Sequence, residues 1–95
     1  MQRRLKQSAM RFNFDPKMPF EEMCRQAARL GVVGFDHIAP QDWPTLRKFG
    51  LTPTMSLNGG ITFENGLIHK QVHDSLVKTV GAALDECAAN GCPNL

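Results

Sequence analysis

The segment VVGFDHI, residues 32–38, is a short apolar run that closes on an acid and an imidazole, Asp36 and His37. Such a pair can orient a substrate oxygen or carry a proton. On an extended strand adjacent side chains point to opposite faces, so only one of the two can look into a site. His69 and His73 have the i, i+4 spacing of a helical zinc site. The Glu that should follow the first His is absent, and His69 falls ahead of the expected helix, so no metal site is expected in this chain. His73, near a helix N-terminus, is placed to touch an anionic substrate. Asn58-Gly59-Gly60 presents backbone N–H groups, without the glycine spacing of a phosphate loop. Trp43, beside Pro44, reads as a packing anchor. No Ser/His/Asp set, carboxylate pair or Cys₂His₂ pattern is present. The candidate substrate contacts are therefore His37, Asn58 and His73, with Asp36 as the alternative to His37.

The elements that must position these residues follow from periodicity. Residues 5–14 alternate, with Ser8, Met10, Phe12 and Phe14 on one side, which predicts a strand. Pro16 and Pro19 break it. Phe20, Met23, Cys24, Ala27, Ala28 and Leu30 form a helical stripe, with Pro19 placed in the first turn, Glu21 and Glu22 near the positive end and Gly31 as the stop. Residues 32–38 are the second strand. Asp42 is placed to cap a short helix running to Phe49, which Gly50 ends. Residues 51–57 are a third strand, weakened by Pro53, and a loop follows to about residue 69. Val72, Leu76, Val80, Ala83, Leu84 and Cys87 then mark a long helix stopped at Asn90-Gly91, and residues 92–95 read as the start of a fourth strand.

Bulk properties exclude several classes. Ninety-five residues, 42% hydrophobic and 21% charged, suit one α/β domain with a marginal core. A net charge of +2 is far from a nucleic-acid-binding stripe; the local basic run at Arg3, Arg4 and Lys6 reads as a solvated terminus. No apolar run reaches the roughly 18–20 residues of a membrane span, and no signal-peptide core follows Met1, which predicts a cytoplasmic product. Three cysteines without a C-x-x-C suggest buried, reduced thiols at Cys24 and Cys87.

Helix, Gly, short strand recurs at Leu30-Gly31-Val32, Phe49-Gly50-Leu51 and Asn90-Gly91-Cys92. Strands that alternate with helices imply a parallel sheet joined by crossovers. Short connections favour the order 1-2-3, as in the first three βα units and the start of the fourth strand of a (β/α)8 TIM barrel, an incomplete barrel spanning residues 1–95. A doubly wound sheet is the rival. In a barrel, catalytic groups sit at the carboxyl ends of strands, which is where Asp36 and His37 fall.

LKQS (5–8), PFEEMC (19–24), GFD (34–36), DWPTL (42–46) and GCPNL (91–95), with Gly66-Leu67, Lys70 and His73-Asp74, together resemble the amino-terminal part of hydroxypyruvate isomerases, within the barrel superfamily similar to xylose isomerase. The resemblance implies interconversion of hydroxypyruvate and tartronate semialdehyde through an enediolate, with a small hydroxy-keto acid or sugar-like substrate. It implies that acid–base glutamates and any divalent metal ligands come from later strands. Glu21, Glu22, Glu64 and Glu86 are not replacements, so this chain by itself should bind no cofactor and be inactive. Asn58-Gly59 stands where relatives tend to have His-Gly, and Asn cannot carry a proton. Two alternatives stay open: another isomerase or epimerase of the same superfamily, and a non-catalytic fragment that associates with a complementary barrel piece. Open sheet edges predict self-association.

Overall fold

The computed structural model describes residues 5–14, 17–57 and 59–95. Three strands and three helices alternate: β1 (Ser8–Met10), α1 (Phe20–Leu30), β2 (Gly34–Asp36), α2 (Trp43–Lys48), β3 (Thr52–Pro53) and α3 (His73–Asn90). The strands form one parallel sheet in the order β1-β2-β3, with Ser8, Gly34 and Thr52 in one register row and Ala9, Phe35 and Pro53 in the next. The alternating α/β pattern with sequential strand order is as the residues predict.

The strands are shorter than their alternation suggests. The backbone ladder reaches slightly past them, through Val33 N–H to Gln7 O (2.8 Å), Thr52 N–H to Val33 O (2.9 Å) and Thr54 N–H to Phe35 O (3.0 Å). After Met10 the chain winds into a 3₁₀ turn at Arg11–Asn13 instead of continuing to residue 14, and Phe12 and Phe14 end exposed. Pro53 lies inside β3 without harm. The residues on either side of it, Thr52 and Thr54, donate to β2, so the missing N–H of Pro53 belongs to the other edge.

The faces of the sheet differ in kind. Ala9, Phe35 and Pro53 point toward the helices. There Phe35, Ile38, Leu51, Met23, Cys24, Ala27, Trp43, Leu46, Cys87 and Cys92 form one buried cluster. Phe20 meets Phe35 edge to face at 5.9 Å. The opposite face carries Ser8, Met10, Asp36, Thr52 and Thr54. Gly34 is required at its centre, because a Cβ there would lie 1.9 Å from the Thr52 carbonyl oxygen.

Helix boundaries follow local chemistry. Pro19 sits just before α1, at the cap position, one residue earlier than its expected place in the first turn. Gly31 and Gly91 adopt the left-handed conformation (φ 80° and 71°) that ends α1 and α3. At the second of these, Cys92 N–H bonds Cys87 O at 3.0 Å and both thiols are buried. Cys24 and Cys87 are buried as expected from their helix faces, and Cys92 joins them. Residues 92–95, expected to begin a fourth strand, form no strand but lie against the end of β3: Ser56 N–H donates to Asn94 O (2.9 Å) and the Asn94 amide donates to Thr54 O (2.8 Å). Among the described residues no helix is long and apolar enough to cross a membrane.

Candidate functional site

Asp36 ends β2 on the face that the helix core leaves uncovered. Alternation puts it there with Gly34, while Phe35 goes to the core, and parallel register puts Ser8 of β1 and Thr54 beyond β3 on the same side. Asp36 Oδ1 accepts hydrogen bonds from Ser8 Oγ at 2.9 Å and from Thr54 Oγ1. One carboxylate thus ties three neighbouring strands together, reaching from the end of β2 to Ser8 at the start of β1 and to Thr54 just after β3. Among the described residues Oδ2 has no hydrogen-bond partner, which leaves an anionic acceptor facing the open side of the sheet. Of the adjacent pair, Asp36 faces this side.

His37 has a different task. Its backbone is left-handed (φ 61°), a region that His visits more readily than β-branched residues do, and its side chain is exposed. The reversal there drives Ile38 into the core. Ile38 N–H then bonds Met55 O (3.2 Å), and Ile38 O receives the indole N–H of Trp43 (3.0 Å). Trp43 is the packing anchor that its sequence setting suggests, held by a buried hydrogen bond.

His73 begins α3, and its Nε2–H donates to the Leu67 carbonyl, which latches the preceding loop. Its ring lines an apolar cavity of about 390 Å³ with Ile61, Leu67, Leu76, Val77 and Val80. His69 lies ahead of the 3₁₀ turn Lys70–Val72 that leads into α3, so the two histidines do not share a helix face. Asn58 falls outside the described residues. The neighbouring Gly59 packs so close to α3 that a Cβ would sit 2.9 Å from the Val80 Cα. No hydrogen bond among the described residues joins His37 to His73.

A second polar contact lies at the same end of the sheet and has no signature in sequence spacing. Arg11, just past β1, donates to Asp42 Oδ2 at 2.8 Å and lies over the Phe20 ring, 4.2 Å from its centre. Asp42 precedes α2 as expected but makes no side-chain cap, because its carboxylate is engaged by Arg11.

The glutamates are elsewhere. Glu21 pairs with Lys48 (3.0 Å), while Glu22 binds Gln26 and Arg25, with the Gln26 hydrogen bond chiefly holding its carboxyl below the usual range. Glu64 and Glu86 are exposed. Among the described residues no three His, Cys, Asp or Glu side chains gather into a metal-binding group. Burial pushes the Cys24 thiol up to about 11 and raises Cys92 as well, so neither suits nucleophilic chemistry at neutral pH. No protein-family model, curated protein or solved structure matches the chain.

Proposed function

We propose that the chain forms the amino-terminal βα units of a hydroxypyruvate isomerase-like (β/α)8 barrel enzyme working in the cytoplasm. The observation that carries this reading is the Asp36–Thr54 pair, a carboxylate and a hydroxyl at the carboxyl ends of β2 and β3, braced by the Ser8 hydroxyl from the start of β1. Barrel enzymes place their chemistry at that end. Residues 92–95 add support, since they lie beside the end of β3, where a barrel puts its fourth strand. A doubly wound sheet of the 3-2-1-4 kind would send that segment beside β1.

In the proposed reaction a base removes a proton from the hydroxymethyl carbon of hydroxypyruvate, and an acid returns one to the adjacent carbon. The part played by this chain is positioning. Asp36 Oδ2 accepts a hydrogen bond from a substrate hydroxyl in place of His37, and Asn58 and His73 border the substrate. The proton carriers belong to later strands. The described residues do not fit a divalent cation, since no three His, Cys, Asp or Glu side chains gather among them.

The test joins residues 1–95 in frame to the last five βα units of a hydroxypyruvate isomerase and follows hydroxypyruvate isomerisation in a coupled assay. The 95-residue chain alone should show no turnover. The joined protein should be active, and Asp36→Asn should lower its kcat/KM by about 10–100-fold, the loss of one charged hydrogen bond, with Tm nearly unchanged. A folded but inactive joined protein overturns the reading. Activity on a ketose sugar alone would assign the same site to an epimerase of the superfamily.

A further inference from the structure

The outer face of α3 is unlike that of the other helices. Of its eighteen residues only Leu76 and Cys87 are fully buried, while Val77 and Leu84 are 74% and 52% exposed. With Gly81 and Ala88 they form an apolar stripe at i, i+4, i+7 and i+11, about a quarter-turn round the helix from the core side that Leu76 and Cys87 occupy, with Val77 also at the rim of the cavity beside His73. A solvated helix normally carries polar residues at such positions. At Gly81 a built Cβ meets nothing within 4 Å, so another backbone has room to approach there.

The charges beside this stripe say what fits it. Lys78 and Asp85, seven residues apart, occupy one flank, and both are exposed. When two copies of α3 pack antiparallel about a twofold axis near Gly81, each flank meets its own copy. Residue k of one helix then lies opposite residue 162 − k or its neighbour in the other. Val77 meets Leu84 of the second copy, and Lys78 meets Asp85 twice, once on each side of the axis. Asp74, on the same flank, falls opposite Ala88 and Ala89 and meets no like charge. A parallel pair would instead set this flank against the opposite one and bring Lys78 to no Asp85.

We propose that this face is an interface with a second copy of the chain, formed by antiparallel α3–α3 packing with reciprocal Lys78–Asp85 ion pairs. The contact uses no sheet edge. A helix seam from Val77 to Ala88 is only about 16–18 Å long, so it falls short of the roughly 1,200 Å² of a stable interface unless Leu67 and Ile68, exposed just ahead of α3, join it. The expected dimer is therefore weak and concentration-dependent.

Sedimentation equilibrium of the 95-residue chain between about 5 and 500 µM should show reversible dimerisation. Leu84→Glu should weaken it at least about 100-fold, because two buried apolar contacts become two buried charges. Lys78→Asp and Asp85→Lys should each weaken it about 10-fold, and the double variant K78D/D85K should return the Kd to within about 3-fold of the parent. Circular dichroism establishes that each variant keeps its helices. Should Leu84→Glu unfold the chain, the charge-swap cycle still decides. A monomer throughout the range overturns the proposal. So does a dimer indifferent to the charge swaps, or one abolished by a proline in the β1 edge and not by these variants.

Discussion

The first two βα units and the region around α3 are built to different standards. In the first, eleven residues of α1 bury Met23, Cys24 and Ala27, and six residues of α2 bury Trp43 and Leu46 against Phe35 and Ile38. In the second, eighteen residues of α3 bury two side chains fully. Its loop leaves Phe63, Leu67 and Ile68 in water, and an apolar cavity opens beside His73. Stability is thus concentrated in the part that places Asp36 and Arg11, and the α3 region is held by a few latches. A rigid frame under the polar groups and a loosely packed flank suit a site positioned by one and bordered by the other.

Truncation in the core should separate the two regions most strongly. Leu46→Ala should cost about 3–4 kcal/mol in urea unfolding, whereas Leu67→Ala should cost less than about 1. Equal costs would show that the packing contrast is not an energetic one. Trp43→Phe should cost about 1–3 kcal/mol, since it leaves the buried Ile38 carbonyl without its donor; the same assay reads it.

A pH series sharpens the contrast by another route. The Cys24 thiol ionises near 9 when exposed and near 11 when folded. Between those values the unfolded chain loses a proton that the folded chain keeps. The contribution of Cys24 is therefore whole below about pH 9 and declines toward about pH 11. Urea midpoints at pH 8, 9.5 and 10.5 should fall more steeply for the parent than for Cys24→Ala. Parallel slopes would contradict the burial argument. Smaller still, Asp42→Asn should cost at most about 1 kcal/mol, because the Arg11–Asp42 pair is partly solvated. Phe63→Ser, on a side chain fully in water, should stay within about 0.5 kcal/mol.

What could be read from the residues, and what could not, follows the same division. The α1 stripe, the Gly31 stop, the parallel order and the inward Cys24 and Cys87 are consequences of periodicity and backbone chemistry, and all were legible. The early end of β1 was not. The alternation of Phe12 and Phe14 satisfies a strand template, yet Arg11 turns away to reach Asp42 and Phe20, residues distant in sequence. The Asp36 side was undecidable for a related reason. A shift of one residue in strand register would exchange Asp36 and Phe35, and the burial of Phe35 in the helix core, with Asp36 bonded to Ser8 and Thr54, sets it. Asp42 had the right type and place for a cap and gave its carboxylate to a partner thirty-one residues away.

The sequential order of the sheet also bears on how the chain can be made. Each strand pairs with the one synthesised before it, β2 on β1 and then β3 on β2, with no later strand inserted between earlier ones. Parallel pairing closes long loops and is slow for a whole chain released at once. A ribosome delivering residues from the amino end presents each new strand to an edge that already exists. It delivers α1 before β2 and α2 before β3, so each crossover helix can cover its strand as that strand docks. Assembly can then advance one strand and one helix at a time.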